Sequence, residues 1–242
     1  MVSRLAEYIE AMLRALLDRV AMALPGQCEV CRAWPAQPVC EACVARFAQP
    51  VPRCRRCALP VAEGVTECGQ CLRAPPPLDA CHAAVSYAYP WSSLISHYKF
   101  HDQPGWAITF ATLLRSAPWV EPALEAAQIV LPMPLWHERM AARGFNQALE
   151  LARRLAPAKT EPALLLRVRG TAPQLALDRA ARLANVRDAF ALDPSRAGSV
   201  RGRALLLVDD VMTSGATLFS AAAMLRQAGA ASVTAVVIAR TD

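Results

Sequence analysis

The hydrophobic and polar positions of the chain follow two different periods. Over residues 3–24 the apolar side chains recur every three or four positions, which predicts an amphipathic helix. From residue 81 onward, short apolar runs alternate with longer stretches in which apolar residues recur at helical spacing. The apolar runs, which predict buried strands, lie at 83–89, 128–131, 164–168, 204–208 and 232–239. The predicted helices lie at 94–100, 106–114, 146–155 and 218–228. Strands that alternate with helices in this order predict an α/β fold with a mainly parallel sheet.

Residues 25–73 interrupt this alternation, because cysteine takes the place of large apolar residues there. The cysteines form four Cys-x-x-Cys pairs, which are Cys28 and Cys31, Cys40 and Cys43, Cys54 and Cys57, and Cys68 and Cys71. Each pair places two thiolates on one tight turn, and two such turns complete a tetrahedral Zn²⁺ site. The segment therefore predicts two zinc sites of four cysteines each, which stand in for a hydrophobic core.

The spacing of these cysteines leaves two alternatives open. Sequential pairing, with residues 28–43 around one ion and 54–71 around the next, fits the similar spacings, and cross-bracing of alternating pairs is the alternative. An iron–sulfur cluster is the rival to zinc, whereas disulfides are disfavoured in a reducing cytosol. The ninth cysteine, Cys81, begins a predicted strand, so we expect an inert buried thiol.

These changes in composition divide the chain into four parts. We expect an N-terminal amphipathic helix at 1–24, a double zinc ribbon at 25–73, a proline-rich linker at 74–80 and an α/β domain at 81–242. No apolar stretch is long enough to span a bilayer, and the charged residues of the first segment exclude a signal peptide. The sequence thus predicts a cytoplasmic protein without a transmembrane segment, with a peripheral position at the inner membrane face as the alternative.

The predicted strand at 204–208 leads into a candidate binding site. Asp209 and Asp210 follow it, and a hydroxyl-rich turn at 213–217 precedes the last predicted helix. Backbone N–H groups of such a turn, together with the helix N-terminus, bind phosphate. Paired carboxylates at the end of a parallel strand accept a diol or hold Mg²⁺. Because the chain has neither a G-x-G-x-x-G nor a G-x-x-x-x-G-K-[ST] motif, the pattern favours a sugar-phosphate site over the two common nucleotide-binding motifs.

Two arginine-bearing segments supply further candidate anion contacts. Arg139 and Arg143 lie in a predicted loop after the strand at 128–131, so they would reach the same edge of the sheet as the acid pair. Arg179 and Arg182 lie in a long polar excursion, which predicts a lid that closes over pyrophosphate. The chain carries a net charge of +6, and residues 139–203 alone hold thirteen basic and five acidic residues. This local excess of positive charge favours a polyanionic ligand, such as pyrophosphate or nucleic acid.

Residues 205–217 resemble the phosphoribosyl-pyrophosphate (PRPP) binding motif of the type I phosphoribosyltransferases. In that family two adjacent acids contact the ribose hydroxyls and the following loop binds the 5′-phosphate. The resemblance implies PRPP contacts for Asp209, Asp210, Val211, Met212, Thr213, Ser214, Gly215, Ala216, Thr217, Arg139, Arg143, Gly144, Arg179 and Arg182. The candidate catalytic residues among these are Asp209, Asp210, Arg143 and Arg179, and Mg²⁺ is expected to accompany PRPP.

From about residue 24 to residue 239 the chain resembles the ComF competence-protein family. The motifs that carry this resemblance are the Cys-x-x-Cys pairs, Tyr98-Lys99-Phe100, Arg143-Gly-Phe-Asn-Gln147, Thr171 with Pro173-Gln174, Arg179 with Asn185 and Phe190, and Asp209-Asp-Val-Met-Thr-Ser-Gly215. One departure is His101-Asp102-Gln103, where the family usually shows a basic residue, Gly and an acid. The resemblance implies a zinc region joined to a phosphoribosyltransferase-like domain at 81–242, and a role in natural transformation.

Three functional hypotheses follow. The first is an accessory protein that binds PRPP or a related phosphoribosyl nucleotide and acts on single-stranded DNA, or with a DNA-uptake helicase, during natural transformation. The second is an active phosphoribosyltransferase with an unidentified acceptor. The third is a salvage enzyme regulated by its zinc module. The third is disfavoured because the sequence ends at Asp242, soon after the last predicted strand, with little room for a purine-recognising segment.

Overall fold

The computed structural model describes residues 26–101, 103–170 and 189–241. Its contacts divide the chain into two compact units, Met1–Phe47 and Ala48–Asp242. The predicted N-terminal helix at 3–24 and the predicted arginine lid with Arg179 and Arg182 lie outside the described residues. Within the described ranges, no helix combines the length and the apolar character needed to cross a membrane.

The smaller unit contains one described helix, α1 (Glu41–Phe47). The described strands of the larger unit are β1 (Ala80–Ser86), β2 (Ile129–Pro132), β3 (Leu165–Arg167), β4 (Phe190–Leu192), β5 (Ala204–Met212) and β6 (Ser232–Arg240). Its described α-helices are α2 (Gly69–Arg73), α3 (Trp91–Phe100), α4 (Trp106–Ser116), α5 (Val120–Ala126), α6 (His137–Arg143), α7 (Gln147–Leu155) and α8 (Ala216–Gln227).

Four of these strands form the parallel sheet that the sequence predicts. Their order is β1-β6-β5-β2, and each neighbouring pair is parallel. At the centre of the sheet, Leu207 of β5 lies opposite Ala235 of β6 and Leu131 of β2, and all three are fully buried. Helices and loops cover both faces of such a sheet, which explains why its strands read as continuous apolar runs.

The strand predicted at 164–168 is present as β3, but it pairs outside the parallel sheet. β3 and β4 form a separate antiparallel pair in which Leu165 lies opposite Leu192. β4 is three residues long, so it shows too little periodicity to be predicted from the sequence. The strand that pairs with β3 is therefore β4, which follows the excursion in the sequence.

Several elements differ from the sequence prediction. Helices α1, α2 and α5 were not predicted, α3 begins at Trp91, three residues before the predicted start, and β1 lies at 80–86 instead of 83–89. Arg139 and Arg143, which were predicted to lie in a loop, are part of helix α6. This helix ends at Arg143, and the next residue, Gly144, caps it. Gly144 has a left-handed backbone (φ 73°), and its N–H donates to the carbonyl of Met140. Helix α8 begins at Ala216, two residues before the predicted start. Helix α7 agrees with the prediction within one residue, because the Asn146 side chain accepts hydrogen bonds from the N–H groups of Ala148 and Leu149.

The second group of cysteines lies inside the hydrophobic core of the larger unit. Cys54, Cys57, Cys68 and Cys71 are buried together with Leu78 and Cys81, and this cluster continues into the core residues of the parallel sheet. Cys81 is therefore the buried thiol that the sequence predicts. The four-part division of the chain stays a prediction, while the contacts assign this second cysteine group to the unit that contains the sheet.

Candidate ligand-binding cleft and metal centres

The eight paired cysteines assemble into two groups of four in sequential order. One group is Cys28, Cys31, Cys40 and Cys43, the other is Cys54, Cys57, Cys68 and Cys71, and the sulfurs of each lie within 4.8 Å of one another. The Sγ atoms of Cys28 and Cys43 are 3.8 Å apart, as are those of Cys57 and Cys68. Four sulfurs at Zn–S bonds of about 2.3 Å in a tetrahedron stand about 3.8 Å apart. The sequential pairing is therefore observed, and sulfurs this close fit around a single ion.

In each group, backbone N–H groups favour the thiolate form of one cysteine, whereas burial raises the pKa of Cys43, Cys57 and Cys71. The N–H of Cys40 donates to Cys28 Sγ at 3.4 Å, and the N–H of Cys68 donates to Cys54 Sγ at 3.3 Å. Burial raises the pKa of Cys28, but hydrogen bonds from backbone N–H groups outweigh it and bring the pKa to about 6. The same balance lowers the pKa of Cys68 to about 7. All nine cysteines are free thiols, so both groups fit a structural Zn²⁺.

The acid pair lies at the centre of a cleft in the larger unit. β5 continues to Met212, so Asp209 and Asp210 are part of the strand, although the sequence predicted that they follow it. Both line a cavity of about 400 Å³. Asp210 is 8% exposed, and its N–H donates to Asp209 Oδ1 at 2.9 Å. The Asp210 backbone therefore holds the Asp209 carboxylate, and both acids line the same cavity.

Lys99 pairs with one of these two acids, a contact that the sequence analysis did not predict. Its Nζ lies 2.8 Å from Asp210 Oδ1, and both side chains are largely buried. Lys99 reaches the cleft because α3 is anchored beside it, where the Tyr98 hydroxyl donates to the Gln147 carbonyl at 2.8 Å. The Tyr98-Lys99-Phe100 motif was noted for its resemblance, but a single lysine in a helix gives no sign of which acid it faces.

Asp209 lies in a different electrostatic environment from Asp210. Burial and, next, the negative charge of Asp210 raise the pKa of Asp209 to about 7. The hydrogen bond from the Asp210 N–H and the positive charges of Lys99 and Arg143 oppose this shift. Asp209 therefore exchanges a proton near neutral pH.

Three arginines and the buried side-chain amide of Gln147 line the same cavity. The arginines are Arg139 and Arg143, both predicted, and Arg167 of β3, which was not predicted. Arg143 Nη1 donates to Gln147 Oε1 at 2.9 Å. Gln147 is 1% exposed, and its Nε2 has no hydrogen-bond partner among the described residues. An unpaired buried N–H is costly, so a ligand acceptor atom in the cavity would stabilise this side chain.

The hydroxyl-rich turn between β5 and α8 forms a smaller pocket that adjoins the cleft. Thr213 and Thr217 line both the large cavity and this pocket of about 20 Å³. The turn depends on Gly215, whose φ is 81°. A Cβ at this position would lie 2.5 Å from Met212 Cε and 2.6 Å from Phe219 Cζ. Only glycine therefore allows this turn to present its N–H groups at the start of α8.

Most of the predicted ligand contacts are brought together. The large cavity is lined by Arg139, Arg143, Asp209, Asp210, Val211, Thr213 and Thr217, and the small pocket adds Met212, Gly215 and Ala216. Gly144 lines an adjoining cavity, and Ser214 Oγ accepts a hydrogen bond from the Ala216 N–H at 3.4 Å. The cavity residues missed by the sequence analysis are Tyr87, Lys99, Met133, Pro134, Leu135, Asn146, Gln147, Ala148 and Arg167.

A buried arginine connects the second cysteine group to this turn. Arg240 is 4% exposed, and its Nε donates to the Cys57 carbonyl at 2.9 Å. Its Nη1 donates to the Met212 carbonyl at 3.3 Å, directly before Thr213. Cys81 Sγ also lies 3.4 Å from Met212 Sδ. The end of β5 is therefore packed against the segment that carries the second cysteine group.

Comparison with known proteins shows which family the chain belongs to. Residues 141–242 match the phosphoribosyl transferase domain family. A solved structure of the allosteric regulatory enzyme of purine biosynthesis aligns with 54% of this chain and 25% of its own, at 23% identity and a TM-score of 0.34. Competence protein F of Haemophilus influenzae is 34% identical over 74% of this chain and 80% of its own length. DNA utilization protein YhgH of Salmonella typhimurium is 32% identical over 91% of this chain and 99% of its own length. Since such relatives align with most of both chains, and the cysteine groups and the phosphoribosyl transferase domain are both present, the chain belongs to the ComF family.

Proposed function

We propose that this protein binds PRPP together with Mg²⁺ in the cleft around Asp209 and Asp210, and that it serves as an accessory factor in the uptake of single-stranded DNA. One observation carries the first part of the proposal. A single cavity is lined by an acid pair, four cationic side chains and the hydroxyls of the turn before α8. PRPP has a matching set of groups, because it joins a diol to a phosphate and a pyrophosphate.

Each part of the ligand has a chemically suitable partner in the cleft. The turn at 213–217 presents hydroxyls and N–H groups to the 5′-phosphate. Arg139 and Arg143 suit the pyrophosphate, since guanidinium groups bind phosphate oxygens in a bidentate manner. Lys99 pairs with one oxygen of Asp210, and the other oxygen, which has no bond to another described residue, would accept a ribose hydroxyl.

The acid pair also fits a Mg²⁺ ion that accompanies the pyrophosphate. Carboxylate oxygens are the ligands that Mg²⁺ uses beside substrate phosphates. Asp210 is engaged by Lys99, and one oxygen of Asp209 accepts a backbone N–H, so the second oxygen of Asp209 is the candidate ligand. When bound, the ion would neutralise pyrophosphate charge, while the arginines orient the same group.

Thermal denaturation with and without PRPP and Mg²⁺ tests the binding site. A ligand at one hundred times its Kd adds about 2.7 kcal/mol, which is roughly 5–10 °C in Tm for a unit of this size. We expect this shift for the wild-type chain and its loss in the Asp209→Asn, Asp210→Asn double variant. Glu125→Gln removes an exposed acid outside the cleft and should keep the full shift. A shift that survives in the double variant would place PRPP elsewhere.

The pKa of Asp209 gives this binding a defined pH dependence. The pKa is raised from 3.8 to about 7 in the folded chain, so the folded state binds more protons than the unfolded state between these values. The free energy of unfolding of the ligand-free protein should therefore fall as pH rises from about 4 to 7. A protonated carboxyl is a poor Mg²⁺ ligand, so PRPP affinity should rise between pH 6 and 8. Asp209→Asn should flatten both dependences relative to Glu125→Gln.

The part of the proposal that concerns DNA rests on separate support. The relatives bear names that refer to DNA utilization and competence. In the smaller unit, Trp34 is 70% exposed beside the first cysteine group, and exposed aromatic rings stack on unpaired bases. A labelled (dT)20 oligonucleotide should bind in a salt-dependent manner, and Trp34→Ala should weaken binding about tenfold. The control is Leu72→Ala at another exposed apolar position (66%), and equal loss in both variants would contradict the assignment to Trp34.

The alternative is transfer of phosphoribose from PRPP to an acceptor. Its support is that Arg139 and Arg143 line the cleft, since guanidinium groups there would stabilise the charge of a leaving pyrophosphate. A screen for pyrophosphate release with candidate acceptors separates the two hypotheses. Acceptor-dependent release that is lost in the Asp209→Asn, Asp210→Asn variant would favour the transferase, while binding without release would favour the accessory role.

A further inference from the structure

A second cavity opens beside the cleft and belongs to none of the assigned ligand groups. It measures about 230 Å³ and is lined by Lys99, Phe100, Ala142, Arg143 and Gly144, at the C-terminal ends of α3 and α6. Lys99 and Arg143 also line the large cavity. An occupant of the second cavity would therefore share two cationic side chains with a ligand in the cleft.

The second cavity has an aromatic wall that solvent reaches. The Phe100 ring is 64% exposed, whereas the ring of its neighbour Tyr98 is fully buried. The Arg143 guanidinium carbon lies 5.1 Å from the centre of the Phe100 ring, and the Gln147 side chain holds the guanidinium in place. Exposed aromatic faces and guanidinium planes are the two protein surfaces on which planar rings stack.

The polar groups of this cavity limit which rings it can take. Among the described residues, its ionisable lining residues are Lys99 and Arg143, which both carry donors and positive charge, and no carboxylate lines it. Asp210, which pairs with Lys99, lines the large cavity and not this one. A basic ring would be repelled, while a ring with an anionic or acceptor-rich substituent would gain charge-assisted hydrogen bonds. The lining thus favours a ligand that is planar, aromatic and rich in acceptor atoms.

We infer that this second cavity binds a planar aromatic ring bearing a carboxylate or similar acceptor group, next to the ligand of the cleft. The inference deepens the proposed function, because it names the chemical class of a second ligand. It rests on the proposed function only in that the ligand of the cleft is PRPP. The binding of the ring itself depends on Phe100 and Arg143 and not on any transfer reaction.

A matched pair of probes tests the inference on the full chain. Benzoate and cyclohexanecarboxylate have the same charge and ring size but differ in planarity and in the aromatic face. Saturation-transfer NMR titrations should show saturable millimolar binding of benzoate, as expected for a fragment of this size, and much weaker binding of cyclohexanecarboxylate. Phe100→Leu should weaken benzoate binding roughly fivefold, and Phe100→Trp should retain it. Tyr89→Leu is the control, because Tyr89 is 65% exposed but does not line the cavity.

Three results would overturn the inference. The first is equal binding of benzoate and cyclohexanecarboxylate, and the second is benzoate binding that Phe100→Leu leaves unchanged. The third is displacement of benzoate by a (dT)12 oligonucleotide whose own binding is weakened by Phe100→Leu. The last result would assign the aromatic wall to nucleic acid.

The PRPP-induced thermal shift of the wild-type chain is measured separately. If that shift is absent while benzoate binds, the proposed function fails and the second cavity stands; the reverse result rejects the second cavity alone.

Discussion

The two cysteine groups have nearly the same sequence pattern but different surroundings. In the first group Cys31 is exposed and Cys40 is partly exposed, and the compact unit that contains this group ends at Phe47. In the second group all four cysteines are buried, and they form part of the core of the unit that carries the cleft. A site of four cysteines can therefore either replace a core in a small unit or become a component of a larger core.

The contacts of the second group show how this integration is achieved. The Cys81 N–H, at the start of β1, donates to the Arg55 carbonyl at 2.7 Å. Arg56 Nη1 donates to the Leu78 carbonyl at 3.1 Å, and Arg240 of β6 binds the Cys57 carbonyl. Because these bonds join the metal-binding turns to two strands of the sheet, a change at the second site should reach the cleft. We expect a smaller effect from the first group, because its cysteines belong to the other compact unit.

The largest expected effect comes from removing one ligand of each group in turn. Cys57→Ser should cost about 5 kcal/mol or more, or roughly 10–20 °C in the Tm of the larger unit, because it disrupts a structural metal within the core. Cys31→Ser should also remove one zinc per chain but leave that Tm nearly unchanged. In a Trp34→Phe background every remaining tryptophan lies in the larger unit, so fluorescence reports that unit alone.

Metal analysis of the same variants checks that each has lost its ion. The distinction between the two groups would be wrong if Cys31→Ser lowered the Tm of the larger unit as much as Cys57→Ser. It would also be wrong if Cys57→Ser kept both the Tm and the PRPP-induced shift. Either result would mean that packing without metal holds the second group together.

Chelation should separate the two sites in time. Excess chelator should remove one zinc quickly, because Cys31 is exposed, and the second slowly, because its ligands are buried. A colorimetric zinc indicator follows release, while tryptophan fluorescence in the Trp34→Phe background follows the larger unit. We expect the fluorescence change and the loss of the PRPP-induced shift to coincide with the slow phase only. Cys31→Ser should abolish the fast phase, and simultaneous release of both ions would contradict the difference in burial.

The comparison also shows which features the sequence could predict. The spacing of the cysteines was sufficient to predict which four sulfurs come together in each group, because a metal site needs only four sulfurs in reach. It did not show that Cys57 contacts Arg240, since that bond joins residues 183 positions apart. The continuous apolar run of β5 predicted a buried strand, but it did not show that the strand continues through Asp209 and Asp210 to Met212.

The candidate cleft was predictable to a similar degree. The acid pair, the turn at 213–217 and Arg143 lie at element ends, where parallel sheets place ligands. Lys99 was missed because its partner, Asp210, is more than a hundred positions away. Arg167 was missed because β3 was expected to join the parallel sheet, and its pairing with the short strand β4 brings it to the cavity. Local pattern thus predicted elements and motifs, while long-range pairing determined which side chains meet.

The smallest of the expected effects concerns the bond between the second cysteine group and the turn before α8. Arg240→Met keeps much of the side-chain volume but removes the donors to the Cys57 and Met212 carbonyls. Loss of hydrogen bonds from a charged group costs about 1.5–3 kcal/mol, so Tm should fall by a few degrees. If Arg240 also positions the turn, PRPP affinity should fall about tenfold, which is about 1.4 kcal/mol. Titration of PRPP in the thermal-shift assay measures both quantities.

Arg226→Met is the matched control for Arg240→Met. Arg226 donates to the Ala231 carbonyl at 2.7 Å and pairs with Asp79, so its loss also destabilises the larger unit, but it has no described bond to the turn. We expect a similar fall in Tm with unchanged PRPP affinity. An equal loss of affinity in both variants would mean that global stability alone sets the affinity. A selective loss in Arg240→Met would instead mean that the second cysteine group acts on the ligand through this one side chain.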